Sequence, residues 1–389
     1  MDVTTDMRAA WIELAHAVEP ADTTVGRVLR HSDPRELLDR IRSGTSTLRH
    51  EEGLAARLKG VSSRSAEDRA DSIGSRIITR ADREWPLQID DLCASAPMAL
   101  WVSGAGDTRL LALRSLSVVG ARACTAYGEE LARSWAADLG AGGWTIISGA
   151  AFGIDSAAHR GALLADAITM AIVAGGVDVP YPRAHAGLLA AIVDQGLVIS
   201  EVPPGEPVRR QRFLSRNRLI AALGRATLVV EAAERSGTSA TARAAAEMCR
   251  PVLAVPGPVT SPASAGCHRL VQDGQAILAA ELADVVAALD LTASPALSPT
   301  TVDMGGQPAA QSSAARRDAL DERDARVLDA MPARGWLDVD GLVRSSGLSV
   351  KDVLASVSSL VALGWMQAGP SGWRRIREPA PRRTATLSG

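Results

Sequence analysis

Short apolar runs punctuate the middle of this chain at regular intervals: SLSVVG (115–120), WTIISG (144–149), TMAIVAGG (169–176), GLVISE (196–201), ATLVVEAA (226–233) and PVLAVPG (251–257). Each is rich in β-branched or small residues and most end in Gly, Pro or Glu. A run that is apolar at successive positions predicts a strand covered on both faces. Between the runs lie GEELARSWAADL, IDSAAHRGALL, AGLLAAIVD, SRNRLIAAL and TARAAAEM, with apolar residues at helical spacing. Strands alternating with helices of about ten residues predict βαβ units and a parallel sheet with helices on both faces. The predicted α/β region spans 85–290. Ahead of it, MRAAWIELAHAV, DPRELLDRI and EEGLAARL repeat apolar residues with a helical period, so 1–80 reads as a helical domain.

The pattern breaks over 291–317, LTASPALSPTTVDMGGQPAAQSSAARR, a Ser/Pro/Ala/Thr/Gly-rich linker. Beyond it, DERDARVLDAMP predicts a helix and DVDGLVRSSGLSVKDVLASVSSLVALGWM predicts helix, turn, helix. Val350, Val353, Leu354, Val357, Leu360 and Val361 form a stripe on the last helix. QAGPSGWRRI follows as a hairpin, so 318–378 has the outline of a winged helix, with a basic tail at 379–389.

Composition narrows the function classes. The chain has 389 residues, 47% hydrophobic and 22% charged, with a net charge of −2. That is the composition of a soluble globular protein with more than one domain. Lysine occurs only at Lys59 and Lys351, so the positive charge is almost all arginine. No stretch reads as a signal peptide or membrane span, and no membrane association is expected. Cys93, Cys124, Cys249 and Cys267 lie far apart, without CxxC or Cys/His ligand spacing, so no metal is expected and a reducing cytoplasm fits. Against the slightly acidic whole, VRRQRFLSRNR (208–218) carries Arg209, Arg210, Arg212, Arg216 and Arg218 and no acid. Such a local excess either meets an anion or, at Arg209, Arg210 and Arg212, forms a solvated loop face; Arg216-Asn217-Arg218 opens an apolar helix and is the better candidate for contact.

In an open parallel sheet, ligands bind beyond the carboxyl ends of the strands. There the sequence places Gly120, Ala121, Arg122 and Gly128, then Gly149 and Gly153 in AAFGIDSAAHRG, then SRNR, then ERSGTSATA. Glycine turns and helix starts suit phosphate, and Arg122, Arg216 and Arg218 would add charged forks. GxGxxG is absent after the first strand and GxxxxGK[ST] is absent altogether, which turns the reading away from dinucleotides and P-loop hydrolysis. Plainer roles compete. Gly149 and Gly153 serve equally as tight turns, Asp155 as a helix N-cap, Glu231 as an ion-pair partner, and His159 as a structural neighbour of Asp155.

The order of motifs resembles the DNA-processing protein A (DprA/Smf) family. Trp85-Pro86, Ala96-Pro97 and LWVSG (100–104) open the match. VVGARACTAYG (118–128), SGAAFGIDSAAHRGAL (148–163), GGVDVPYP (175–182), FLSRNRLIAAL (213–223), VVEAAERSGTSATARAA (229–245), AVPG (254–257) and GCHRLVQDGQA (266–276) follow in sequence. The resemblance implies an extended Rossmann-like core, a helical front of the SAM or helix-hairpin-helix kind, and a winged-helix tail. It implies a non-enzymatic homodimer that binds single-stranded DNA, needs no cofactor and helps load the RecA recombinase in natural transformation. Carried over by motif, Gly120, Arg122, Ser148, Gly149, Phe152, Gly153, Asp155, Arg216, Asn217 and Arg218 would form the pocket, and Glu231, Ser236, Gly237 and Thr241 its floor, with no catalytic residue. Departures from the pattern are His185 and His268 at family Asn positions, Leu214 for Pro and Ala121 for Ser. Phe152, Tyr181 and Phe213 lie inside the motifs and are the candidate stacking rings, and Phe213 is expected in the core. The competing reading is an enzyme resembling the phosphoribohydrolases, with Glu231 near its site. Against it, VEAAERSGT places the acid before the glycine, and PGGxGTxxE is missing.

Overall fold

The computed structural model describes residues 3–292, apart from 49 and 235, and residues 320–376, apart from 333–335, 363–364 and 370–371. The chain divides into two compact units, Met1–Ser298 and Pro299–Gly389.

The first unit opens with helices α1 (Val3–Ala17), α2 (Thr23–Leu29), α3 (Pro34–Ser43), α4 (Glu51–Leu58) and α5 (Ser63–Ser72). Local chemistry sets their ends. Asp22 accepts from the amide of Thr24 at 2.8 Å, Asp33 precedes Pro34 at the first turn of α3, and Gly44 ends α3 at φ +70°. The sheet then begins with β1 (Ser75–Thr79) and β2 (Ala99–Ser103). Continuing along the chain come α6 (Thr108–Leu113), β3 (Ser115–Val119), α7 (Ala126–Ala141), β4 (Thr145–Ser148), α8 (Ile154–Leu164), β5 (Thr169–Val173), α9 (Ala186–Gln195), β6 (Leu197–Ser200), α10 (Arg210–Leu223), β7 (Thr227–Val229), α11 (Thr238–Glu247), β8 (Val252–Ala254), α12 (Ala265–Gln272), β9 (Ile277–Leu278) and α13 (Leu282–Thr292).

Among the described residues these strands form one sheet, in the order β1-β2-β6-β5-β4-β3-β7-β8-β9. The stretch from β6 to β9 is parallel, with Leu116 opposite Ile146 and Val118 opposite Leu228. β2 runs antiparallel to β6 and to β1, so the sheet is mixed rather than wholly parallel. The six apolar runs are β3 to β8; β1, β2 and β9 lie outside those runs. The helical front also merges with the sheet. Ile12, Leu14, Leu37 and Ile41 share one buried cluster with Ile77 and with Trp101 of β2. Beside residue 80 that apolar cluster is accompanied by the ion pairs Arg8–Asp82 at 3.0 Å and Arg80–Asp90 at 3.1 Å.

Helix α10 is pinned at both ends. At its carboxyl end, Ser117 Oγ donates to Ile220 O at 2.6 Å and Ser115 Oγ to Leu223 O at 3.1 Å. Arg250 donates to Ala221 O at 3.0 Å and Gly224 O at 2.9 Å, and ties them to Gln88 O and Asp91. These donors satisfy carbonyls that a helix end leaves open. At its amino end, Arg212 is held by Glu19 and Glu206.

The second unit holds α14 (Glu322–Ala330), α15 (Val339–Ser346), α16 (Val350–Ala362) and an antiparallel hairpin of β10 (Met366–Gly369) and β11 (Gly372–Arg375). Leu337 pairs with Trp373. Val327, Leu328, Leu342, Val353, Val357, Leu360, Trp365 and Met366 make its core. The stripe expected on α16 therefore divides: Val353, Val357 and Leu360 turn inward, and Val350, Leu354 and Val361 stay exposed. The linker expected over 291–317 falls outside the described residues beyond Thr292, and the basic tail at 379–389 falls wholly outside them.

Candidate functional site

Strands β3 and β7 are neighbours in the sheet, and their onward connections leave in opposite directions, toward β4 and toward β8. Such a switch point opens a crevice at the strands' carboxyl ends. The loop after β3 crosses it, and Ala121 N donates to Glu231 O, just past β7, at 2.8 Å. On the other side Ile154 N donates to Ala121 O at 3.2 Å. Gly153, at φ +75°, makes this approach possible, since a Cβ there would run into the carbonyls of Ala121 and Arg122.

The cleft so formed has a volume of about 270 Å³. Of the residues singled out in the sequence, Gly120, Arg122, Asp155, Arg216, Asn217, Ser236, Gly237 and Thr241 line it. Arg216 is its central feature. The side chain is only 6% exposed, yet carries a guanidinium. Its Nη1 donates to Ile172 O at 2.6 Å, and the group packs flat over Gly149, where any Cβ would collide with it. Burial pulls the Arg216 pKa down to about 10, against the favourable charge of Asp155 and with the repulsion of Arg122. Asp155 feels the reverse: burial pushes its carboxyl up, opposed by Arg216, the amides of Ala151 and Gly149 and the Ser148 hydroxyl. Asp155 is not the helix N-cap; Gly153 takes that place, and Asp155 reaches back to Ala151 N at 3.4 Å. Among the described residues, Nε of Arg216 and Oγ of Ser236 are buried without a hydrogen-bond partner. A buried N–H in that state costs about 1–3 kcal/mol.

A second hollow, of about 490 Å³, is lined by Arg122, Tyr181, Val208, Arg210, Phe213 and Leu214. Arg122 belongs to both. Its guanidinium stacks over the Phe213 ring at 5.0 Å, and the Tyr181 ring lies 5.4 Å from Phe213. Phe213 is thus half-buried in a stack, not in the core as its apolar type suggested: α10 turns positions 210, 213 and 214 outward while Leu219 and Ile220 face the sheet. Phe152 is also exposed, edge-on to His185 at 4.7 Å. His185 itself is buried, with Nδ1 2.9 Å from Ala150 O, and so braces a residue held at φ +53°. A non-glycine residue in that region at the end of β4 is a strained position of the kind found at functional sites. No residue type in the sequence announces it.

Other singled-out residues stand elsewhere. Arg218 points away from the cleft lining and pairs with Glu201 at 2.7 Å. Ser148 is buried and donates to Val118 O at 2.6 Å, stitching β4 to β3. Glu231 is buried with its carboxylate on α7, taking the Thr125 amide at 2.8 Å and the Thr125 hydroxyl at 2.6 Å. Thr125 is the N-cap of that helix, its hydroxyl taking the Gly128 amide at 3.2 Å, and Gly128 leaves room for the carboxylate that holds Thr125. His159 is structural: Nδ1 lies 2.7 Å from Thr169 Oγ1, and burial drives its pKa down to about 3. The sequence reading missed Glu19. It lies 193 residues before Arg212 and answers much of the arginine run, and no local signal could have located it.

The crevice in this mostly parallel α/β sheet thus sets cations and exposed aromatic rings side by side. Comparison with known proteins gives the family. Residues 76–290 match the family described as DNA recombination-mediator protein A. A DprA protein of Mycobacterium tuberculosis (strain H37Rv) is 38% identical over 389 residues, covering 95% of each chain. Protein Smf of Escherichia coli K12 is 37% identical over 292 residues, covering 72% of each. The crystal structure of DNA processing protein A from Streptococcus pneumoniae superposes with a TM-score of 0.62 at 31% identity, covering 71% of this chain and 95% of that one. DNA processing protein A from Helicobacter pylori, which has a unique single-stranded DNA binding mode, matches with a TM-score of 0.50 at 27% identity over 56% of this chain and 96% of its own. The chain belongs to the DNA recombination-mediator protein A family.

Proposed function

We propose that this protein binds single-stranded DNA in the switch-point crevice and acts as a recombination mediator for incoming DNA. The observation that carries the reading is the adjacency of two unlike surfaces. Arg216 and Arg122 offer charge in the cleft, and the Arg122–Phe213–Tyr181 stack continues it as a platform. A single strand needs both, cations for phosphates and ring faces for unstacked bases. Gly120, Arg122, Phe152, Asp155, Arg216, Asn217, Ser236, Gly237 and Thr241 are the contact residues or their immediate support in this reading; Ser148, Gly149, Gly153 and Glu231 shape the loops.

Binding without catalysis is the better reading of the same site. Glu231 is the acid an enzyme resembling a phosphoribohydrolase would use, and both its oxygens are engaged by Thr125. The wider role follows the family: an extended Rossmann-like core acting as a homodimer in the cytoplasm and handing the strand to RecA, with the second unit as a winged-helix interaction module. Its three helices, its hairpin and the Leu337–Trp373 pairing support that last assignment. No helix among the described residues is long and apolar enough to cross a membrane.

The test is fluorescence anisotropy of the full chain on labelled poly-dT between about 50 mM and 200 mM salt. The expected result is tight binding that weakens steeply with salt. Absence of binding at the low end overturns the proposal. Sustained mononucleotide hydrolysis that disappears in Glu231→Gln would favour the enzyme.

A further inference from the structure

The arginines that open α10 are mostly neutralised from within the molecule. Arg212 is 5% exposed, and its Nε and Nη2 make a two-pronged contact with Glu19 at 3.2 and 3.1 Å. Its Nη1 donates to Glu206 at 3.0 Å. Arg209 reaches the same two carboxylates at 3.3 and 3.5 Å, and Arg57 of α4 lies 3.5 Å from Glu19. Burial works against the Glu19 carboxylate, yet Arg212, Arg57 and Arg209 together hold its pKa below the usual carboxylate range. Glu19 comes from the N-terminal helices, just past α1, so it meets α10 across the fold. A cleft of about 450 Å³ lies beside this contact, lined in part by Arg57, Arg69, Arg209 and Arg212. Arg210, the next residue, instead lines the hollow of Tyr181 and Phe213. The start of α10 therefore separates an available cationic hollow from an open cleft whose arginines are already paired with carboxylates.

We infer that Glu19 is an intramolecular competitor for nucleic-acid phosphate, occupying Arg209 and Arg212 and so ending the phosphate track at Arg210. The inference rests on the single-stranded DNA reading above. Arg212, buried and held by three bonds to the two carboxylates, is the fixed half of the contact. Arg209, with 45% of its side chain exposed, is the half a phosphate can take over. The N-terminal helices thereby set how much of the arginine run the strand meets, and a charge change at one carboxylate resets it.

The experiment compares the full-length wild type, Glu19→Gln, Glu19→Gln/Arg209→Ala and Asp194→Asn on labelled poly-dT across a salt series. Asp194 is an exposed acid on α9, and Arg57, Arg209 and Arg212 pair with other carboxylates. Glu19→Gln is expected to steepen the log-affinity against log-salt slope by about 0.7, the increment for one more phosphate on a single strand. The double variant returns to the wild-type slope, and Asp194→Asn never leaves it. A wild-type slope in Glu19→Gln, or a steep one in the double variant, overturns the inference while the DNA-binding reading stands. A wild type that does not bind poly-dT overturns that reading, and the inference with it. If Glu19→Gln loosens the N-terminal helices, seen as a lowered Tm, Arg209→Ala in the wild-type background takes its place: with Glu19 on Arg209 that side chain meets no phosphate, so the slope must stay at the wild-type value, and a slope shallowed by about 0.7 refutes the idea.

Discussion

Replacing Arg122 with Ala separates the two surfaces of the site with the least disturbance to the fold. Arg122 is exposed, on a loop, with its guanidinium over Phe213 at 5.0 Å and, among the described residues, no carboxylate in an ion pair with it. The cost to stability should fall within about 0.5 kcal/mol, the usual range for a surface change. The cost to binding is larger. One charge-assisted contact to a phosphate and the cation end of the Phe213 stack are both lost. A figure of about 1–2 kcal/mol follows, or roughly 5- to 30-fold in Kd. Because a phosphate contact carries counterion release, the slope of log affinity against log salt should shallow by about 0.7. Anisotropy on labelled poly-dT across salt reads affinity and slope together, and a melt of the same sample reads Tm. A weakened variant with an unchanged slope would mean that Arg122 acts only as a ring partner. An unweakened variant would refute the placement of the strand in this crevice.

Arg216→Ala should behave differently. It leaves Asp155 buried beside no cation, at about 3 kcal/mol or more of stability. Burial raises the folded pKa of Asp155 above its unfolded value, so the folded state holds its proton to higher pH, and stability is lost as pH rises through that folded pKa. Loss of Arg216 raises that pKa further, so the Tm deficit of Arg216→Ala against wild type should shrink on acidification from neutral pH, and a deficit that widens would contradict the assignment. His159→Gln reads the opposite sign. The folded pKa of about 3 lies far below the unfolded value, so His159 withdraws stability as pH falls below about 6.5, and the Gln variant should flatten that acid limb in a Tm-against-pH series. Arg250→Ala opens the carbonyls of Ala221 and Gly224 at the end of α10, and should cost about 2–3 kcal/mol in urea unfolding with poly-dT binding weakened only in proportion to the folded fraction lost.

Much of the core could be read directly from the chain. The six apolar runs become β3 to β8 because burial on both faces demands continuous apolar sequence, and the helices between them keep a 3.6-residue stripe. The glycine turns of the candidate site were legible for a similar reason: Gly149 and Gly153 stand where a Cβ would strike the Arg216 guanidinium or the loop carbonyls. The strands and helices are local, and local sequence encodes them; the glycines were legible by residue type, while what each makes room for comes from elsewhere in the chain.

The fate of each charge was not local. Five arginines between 209 and 218 look alike in the sequence, yet Arg212 is answered by Glu19, Arg218 by Glu201, Arg216 by Ile172 O and the field of Asp155, and Arg210 by none of these carboxylates. Which arginine faces a ligand depends on which carboxylate folding brings within reach, and those partners lie up to 193 residues away. Glu231 was drawn to a helix start rather than to the cleft, and Phe213 was turned outward by the phase of α10. Composition and period therefore determined strands β3 to β8, the helices between them and the turns that meet at the sheet's edge. Tertiary packing alone decided which side chains at that edge remain uncommitted, because a buried charge takes the nearest opposite charge in space, and distance along the chain does not measure that.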